Sequence, residues 1–265
     1  AESDPEGELT PSIAGDIRFE HAAFSYEKMN PVLIDVDFAV KRGQTVAILG
    51  ATGSGKSTMM HLLQRLYDVD EGRITIGGVD IRKIRKEHLR SRIGLILQEP
   101  FLYSRTLGDN IKIAAPHVSM EAVEGVARAA RADGFIRNFD KGYETLVGER
   151  GVTLSGGQQQ RVAIARTLLK RSDILIFDDS LSAVDTETDQ AIREALRLEK
   201  KHATTFIVSH RLTTLSQADL ILVLQNGRIA QQGTHGDLIA QDGLYRRVWR
   251  IQSQLEEELV TDASA

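Results

Sequence analysis

Eight consecutive residues carry the plainest chemistry. Gly50-Ala51-Thr52-Gly53-Ser54-Gly55-Lys56-Ser57 fits the pattern G-x-x-x-x-G-K-[ST], with the apolar run Val46 to Leu49 before it and a helix-prone run after it. Glycines at these positions let backbone N–H groups close on phosphate oxygens, and the start of the following helix adds positive potential. Lys56 is placed to reach the β- and γ-phosphates of a nucleotide, the Ser57 hydroxyl to bind Mg²⁺, and Thr58 continues the same cradle. A glycine-rich turn that merely joins strand to helix does not require all of these positions. The pattern is shared by GTPases, kinases and recombination motors, and no N-K-x-D guanine-reading motif accompanies it.

Leu154-Ser155-Gly156-Gly157-Gln158 opens a second strong helix, which the spacing predicts to run from Gln158 to Lys170. This is a second backbone anion site, with a serine hydroxyl beside it. One nucleotide does not need two such cradles from one chain, whereas two chains placed head to tail would use both.

With L-S-G-G-Q after a P-loop, the chain resembles an ATP-binding cassette domain, whose members sandwich two ATP molecules between two cassettes. The resemblance covers roughly residues 16–250. It implies an α/β fold: a P-loop NTPase core with a mostly parallel sheet, an N-terminal antiparallel β subdomain and an inserted α-helical subdomain over about 100–170. It implies ATP and Mg²⁺ as cofactors, ATPase activity, and a second cassette as partner. Site residues follow one at a time. Tyr26, in Phe24-Ser25-Tyr26, matches the aromatic that stacks on adenine, a core strand aromatic being the alternative. Gln98, at the end of an apolar strand, matches the glutamine that touches Mg²⁺ and the attacking water. Asp178, closing Ile174-Leu175-Ile176-Phe177, matches the Mg²⁺-side carboxylate. Ser182-Ala183-Val184-Asp185 matches the loop that faces the opposite site, so Asp185 joins the nucleotide-binding set. His210 matches the histidine that contacts the γ-phosphate.

One position departs from the family. After the Asp178-type aspartate the family usually has glutamate, which orients or deprotonates the attacking water; here it is Asp179. A carboxylate one methylene shorter is displaced by about a bond length, and a misplacement of about 1 Å can cost roughly 100-fold in rate. Nucleotide binding should survive and hydrolysis at this chain's own P-loop should be weak. Within the family, that combination with an intact Leu154–Gln158 resembles the degenerate-site subunit of a heterodimeric exporter; a homodimer that turns over slowly is the alternative. Leu146-Val147-Gly148-Glu149-Arg150-Gly151, together with Phe101-Leu102-Tyr103-Ser104, resembles the exporter pattern that docks on a transmembrane domain. The implied setting is the cytoplasmic face of the cell membrane, as part of a membrane protein. Rival readings are a soluble cassette ATPase, an importer cassette and a nucleotide-gated interaction module.

These residues must be held by strands and helices. Ile17 and Phe19, then Leu33, Val36, Phe38 and Val40, alternate with polar residues as strands do. Val46–Leu49, Ile93–Leu97, Ile174–Phe177, Thr204–Val208 and Leu220–Leu224 are short apolar runs of the buried-strand kind. Lys56–Tyr67 reads as a helix with Met59, Met60, Leu62, Leu63 and Leu66 inward. Ser119–Asn138 and Asp185–Leu198 are helix-prone, and a final amphipathic helix carries Leu244, Val248, Trp249 and Ile251. Gly77-Gly78 and Asn226-Gly227 mark hairpins. Strands alternating with helices argue for an α/β core. Residues 1–15, acidic and with two prolines, read as a tail or a linker, and 251–265 as a C-terminal tail. The chain opens on Ala1 rather than Met, as a fragment of something longer would.

The totals narrow the classes. The chain has 265 residues, 42 % apolar and 26 % charged, with a net charge of −4, so no basic excess points to nucleic acid. Aromatics are 5 %, too sparse for a base-stacking surface along a nucleic-acid strand. The absence of cysteine excludes disulfides and thiolate metal sites. No apolar run approaches the roughly 20 residues needed to span a bilayer.

Overall fold

The structure, a computed structural model, describes residues 7–27, 30–148, 151–178 and 203–262. Along the chain the strands are β1 (Ile17–Glu27), β2 (Asn30–Val40), β3 (Thr45–Gly50), β4 (Glu71–Ile76), β5 (Val79–Asp80), β6 (Ile93–Ile96), β7 (Ile174–Asp178), β8 (Thr204–Val208), β9 (Leu220–Gln225) and β10 (Arg228–Gly233). The helices described are α1 (Lys56–Leu63), α2 (Lys86–Ser91), α3 (Leu107–Lys112), α4 (Met120–Ala129), α5 (Asp133–Arg137), α6 (Gly156–Leu169), α7 (Leu212–Leu215), α8 (His235–Ala240) and α9 (Leu244–Asp262). The helix expected over Asp185–Leu198 lies outside the described residues. Two units divide the chain, one from residues 1–14 and 84–205, the other from 15–83 and 206–265.

The second of these units holds the antiparallel strands β2-β1-β4-β5. Alternation sets their register: Ile17 faces Val40 on one side and Ile76 on the other, and Phe19 faces Phe38 with the rings stacked at 4.6 Å. The Gly77-Gly78 hairpin forms as expected, pairing Ile76 with Val79. In the same unit β3 runs parallel to β9, from Val46 opposite Leu220 to Gly50 opposite Leu224. The Asn226-Gly227 turn then brings β10 back antiparallel to β9. Val46 to Leu49 are all buried, as a strand covered on both faces requires. Leu212, Leu215, Leu238 and Tyr245 pack on Ala47, Leu49, Ile221 and Val223, which seats α7, α8 and the start of α9.

In the other unit β6 lies parallel to β7, with Ile93 opposite Ile174 and Ile96 opposite Phe177. The helix α6 packs against α3, α4 and β6. Gly94 permits the close approach of strand and helix, since a Cβ there would sit 2.6 Å from Thr167 Cγ2. Residues 7–14, part of the segment read as tail or linker, are bonded to the start of α2: Leu9 bridges Ile84, Arg85 N donates to Leu9 O at 2.9 Å, and His88 Nε2 lies 2.8 Å from Pro11 O.

Four expectations about elements need correction. The first helix stops at Leu63, because Arg65 takes a left-handed backbone (φ +52°), and Leu66 is 47 % exposed rather than inward. Helix-prone Ser119–Asn138 is two helices, broken where Arg131 is left-handed (φ +54°). The strand from Ile93 ends at Ile96 and is not wholly buried, with Leu95 partly exposed and Leu97 beyond it. Finally, α9 continues through Ile251 to Asp262, so helix extends into the segment set apart as a tail, and Ile251 is exposed.

Candidate nucleotide site

The phosphate cradle grows out of the end of β3. Gly53 and Gly55 take positive φ (+79° and +104°), which turns the chain tightly enough to start α1 at Lys56. Gly50 touches the neighbouring strand, since a Cβ on it would lie 2.5 Å from Leu224 O. The Lys56 side chain folds back over the loop, its Nζ donating to Gly50 O at 2.7 Å and Ala51 O at 2.8 Å. An ammonium held above a glycine loop at the start of a helix is poised for an anion. Ser54 is buried and its Oγ finds no hydrogen-bond partner in the protein. Ser57 lies in the first turn of α1 and is exposed, while Thr58 is buried. A cavity of about 180 Å³ opens beside the loop between Ala51–Ser54, Leu224–Asn226 and Leu244.

The same unit carries Tyr26 and His210. Tyr26, at the end of β1, is half exposed, and its hydroxyl lies 3.2 Å from Thr58 Oγ1. The strand aromatic is therefore tied to the helix that opens the cradle. His210 is exposed and follows β8, the strand beside β3. Its backbone is clamped by Gln252 of α9, whose Nε2 donates to His210 O at 3.0 Å and whose Oε1 accepts from Leu212 N at 3.3 Å. Sequence reasoning did not find Gln252, which lies 42 positions away on a helix read for its apolar face alone.

In the other unit Gln98 lies just past the C-terminal end of β6, and Asp178 closes the adjacent parallel strand β7, where Ile96 pairs with Phe177. Gln98 is exposed and Asp178 half-buried. The signature helix α6 begins at Gly156, earlier than the Gln158 expected, because Ser155 caps it. Ser155 Oγ accepts from Gln158 N at 3.3 Å and Gln158 Oε1 accepts from Ser155 N at 3.0 Å. Gly156 is exposed and Gly157 half-buried, so the helix start can be approached.

Two further α6 side chains brace the segment on either side of Gln98. Gln160 is fully buried and its Nε2 donates to Leu97 O at 3.0 Å. Arg166, whose pKa burial pushes down, donates from Nη1 to Phe101 O at 3.0 Å and from Nε to Asn110 O at 2.8 Å. Asp179 and Asp185 lie outside the described residues, as do Ser182-Ala183-Val184 and, within Leu146–Gly151, Glu149 and Arg150.

The donors suit the group they would hold. Ser57 in one unit, and Gln98 and Asp178 in the other, each offer an oxygen donor of the hard kind that Mg²⁺ takes. Among the described residues no group of three or more His, Cys, Asp or Glu forms a metal site of the zinc type. The glycine cradle, with Lys56 at the start of α1 folded over it, fits a polyphosphate. An α/β fold with a parallel sheet, a P-loop at a strand end and a carboxylate closing another strand define a P-loop nucleoside triphosphatase.

Comparison with known proteins takes the assignment further. The ABC transporter family matches residues 33–182, more than half of the chain. The chain is 46 % identical over 251 residues to the mitochondrial potassium channel ATP-binding subunit of Xenopus tropicalis, covering 94 % of this chain and 36 % of that protein. To the ATP-dependent lipid A-core flippase of Chromohalobacter salexigens it is 44 % identical over 254 residues, covering 95 % of this chain and 44 % of that protein. A solved structure of a bacterial Atm1-family ABC exporter with ATP bound superposes with a TM-score of 0.87 at 42 % identity, covering 93 % of this chain and 43 % of that one. The chain belongs to the ABC transporter family, as a nucleotide-binding domain of that family. It spans less than half the length of these relatives.

Proposed function

We propose that this chain is the motor domain of an exporter, in which two cassettes close on two ATP molecules and drive a membrane domain through alternating access. The observation that supports it most is the presence of two anion cradles in one chain, the Lys56 loop in one unit and the capped α6 start in the other. In the proposed sandwich each ATP lies between the Gly50–Ser57 loop of one cassette and Ser155–Gln158 of the other. Closure depends on contacts to the γ-phosphate, so losing that phosphate opens the dimer.

Each residue then has a role. Tyr26 stacks on adenine, the loop N–H groups and Lys56 hold the phosphates, and Thr58 anchors the start of α1. Ser57, Gln98 and Asp178 would hold Mg²⁺, which would neutralise charge on the phosphates. Gln98 and Asp179 orient the water for in-line attack, His210 contacts the γ-phosphate, and Asp185 faces the opposite site. The exporter assignment draws support from an apolar surface in one unit, where Leu97, Phe101, Tyr103 and Leu146 are exposed. Val147 N donates to Arg105 O at 3.0 Å, which brings the two exporter-type segments together there. That surface is the proposed seat of the transmembrane domain, at the cytoplasmic face of the cell membrane.

The partner cassette is proposed to be non-identical. Asp179 slows hydrolysis at this chain's P-loop, where ATP acts as a long-lived clamp, while the intact Leu154–Gln158 completes a competent site on the partner. Steady-state ATPase of Asp179→Glu against the parent chain, with Mg²⁺ and at high protein concentration, is the test. A rise of roughly 10- to 100-fold in kcat with ATP affinity unchanged is the expected result. Brisk turnover by the parent with no gain in the variant would sink the degenerate-site reading and leave a homodimeric motor.

A further inference from the structure

None of the roles assigned above uses Tyr67. After α1 the chain turns back through Arg65, which is buried and left-handed and whose Nε donates to Asp68 Oδ1 at 3.0 Å. Asp70 then pins the segment to β1: its N donates to Ala23 O at 2.9 Å, and its Oδ2 accepts from Ser25 N at 2.7 Å. These bonds leave Tyr67 against the end of β1. Its ring lies 5.1 Å from that of Tyr26 at 89°, and 5.4 Å from that of Phe24. Phe24 in turn meets Tyr26 at 4.9 Å and 85°. Two perpendicular rings therefore fix the Tyr26 ring, and Thr58 holds its hydroxyl. Tyr26 keeps half of its surface exposed all the same. Edge-to-face contacts of this kind are favourable, and a ring already held in place loses less freedom when a ligand stacks on it.

We propose that Tyr67 is a positioning residue for the purine base of the nucleotide, acting through Tyr26. It holds the Tyr26 ring in one orientation, so that the exposed surface of that ring receives the base. The Arg65–Asp68 and Asp70 contacts make this platform continuous with α1, whose start cradles the phosphates, so base and phosphates are read by one segment, Lys56 to Asp70, together with the end of β1. The proposal rests on the reading of Tyr26 as the base platform.

Its test separates base from phosphate. The dissociation constants of the 265-residue chain for ATP and for inorganic tripolyphosphate, both with Mg²⁺, are measured by titration calorimetry. For Tyr67→Ala the ATP constant should rise roughly three- to ten-fold, the size expected for loss of an aromatic pair, with the tripolyphosphate constant unchanged. Tyr67→Phe should restore ATP binding. Tyr67→Leu keeps apolar bulk without the ring and should behave as Tyr67→Ala does, which covers failure of the alanine variant to fold. Unchanged ATP affinity in the alanine or leucine variant, or equal weakening of both ligands, would overturn the proposal. Failure of the underlying reading shows separately, as Tyr26→Ala leaving the ratio of the two constants unaltered.

Discussion

Gly55 shows how little room the phosphate loop leaves. Its φ of +104° is one that L side chains rarely adopt, and a Cβ there would approach Leu33 Cδ2 to 2.6 Å and Val32 O to 3.1 Å. The conformation that aims the first turn of α1 at the phosphates is thus available to glycine alone. Gly55→Ala should cost about 1–3 kcal/mol in urea unfolding and weaken ATP binding by more than stability alone explains, because the loop must reshape. An alanine variant with parent-like unfolding and ATP affinity would show that the cradle does not depend on this backbone. The residues that the sequence displayed most clearly are of this kind. Gly50 to Ser57 and Leu154 to Gln158 are contiguous, and their chemistry is local: a glycine turn, a lysine and a capped helix start. Tyr67 and Gln252 were not legible, because each acts through a partner far along the chain, Tyr26 or His210.

At the scale of elements, α6 organises its unit. Ser155 caps its start, Gln160 holds the backbone beside Gln98, and Arg166 holds the loop that follows. Asn110 closes this network from α3. Fully buried, it accepts from Tyr103 N at 2.9 Å and from Arg166 Nη2 at 3.1 Å, and donates to Tyr103 O and Thr106 O, each at 3.0 Å. Removing such a side chain strands buried partners. Asn110→Ala should therefore lower stability by about 2–3 kcal/mol, read as a shifted urea midpoint. A shift below about 0.5 kcal/mol, the range of ordinary surface changes, would mean the loop is held by other means. Sequence periodicity located α6 and its strands but not these bonds. Gln160 reaches a carbonyl 63 positions away and Arg166 one 65 positions away, and no pattern along the chain encodes such pairings. Periodicity also overran the ends of elements. Nothing in the apolar spacing announces that Arg65 and Arg131 take left-handed backbone, yet these residues end α1 and separate α4 from α5.

For the whole molecule, charge and length set the terms of partnership. A net charge of −4 gives the chain no overall basic field, and no helix among the described residues is long and apolar enough to cross a membrane. The chain spans less than half the length of these relatives, and the proposed assembly includes a membrane domain. The central proposal is that ATP joins two cassettes head to tail, each site built from the P-loop of one and the signature of the other. Complementation between two damaged chains tests it most directly. Lys56→Ala removes the cradle and spares the signature, while Ser155→Arg obstructs the signature and spares the cradle. Sedimentation velocity with Mg²⁺ and ATP should show each variant monomeric alone, and an equal mixture forming a dimer through its one intact composite site. A mixture that sediments as the sum of its monomers under conditions where the parent chain dimerises with ATP, or a dimer formed by either variant alone, would contradict the sandwich.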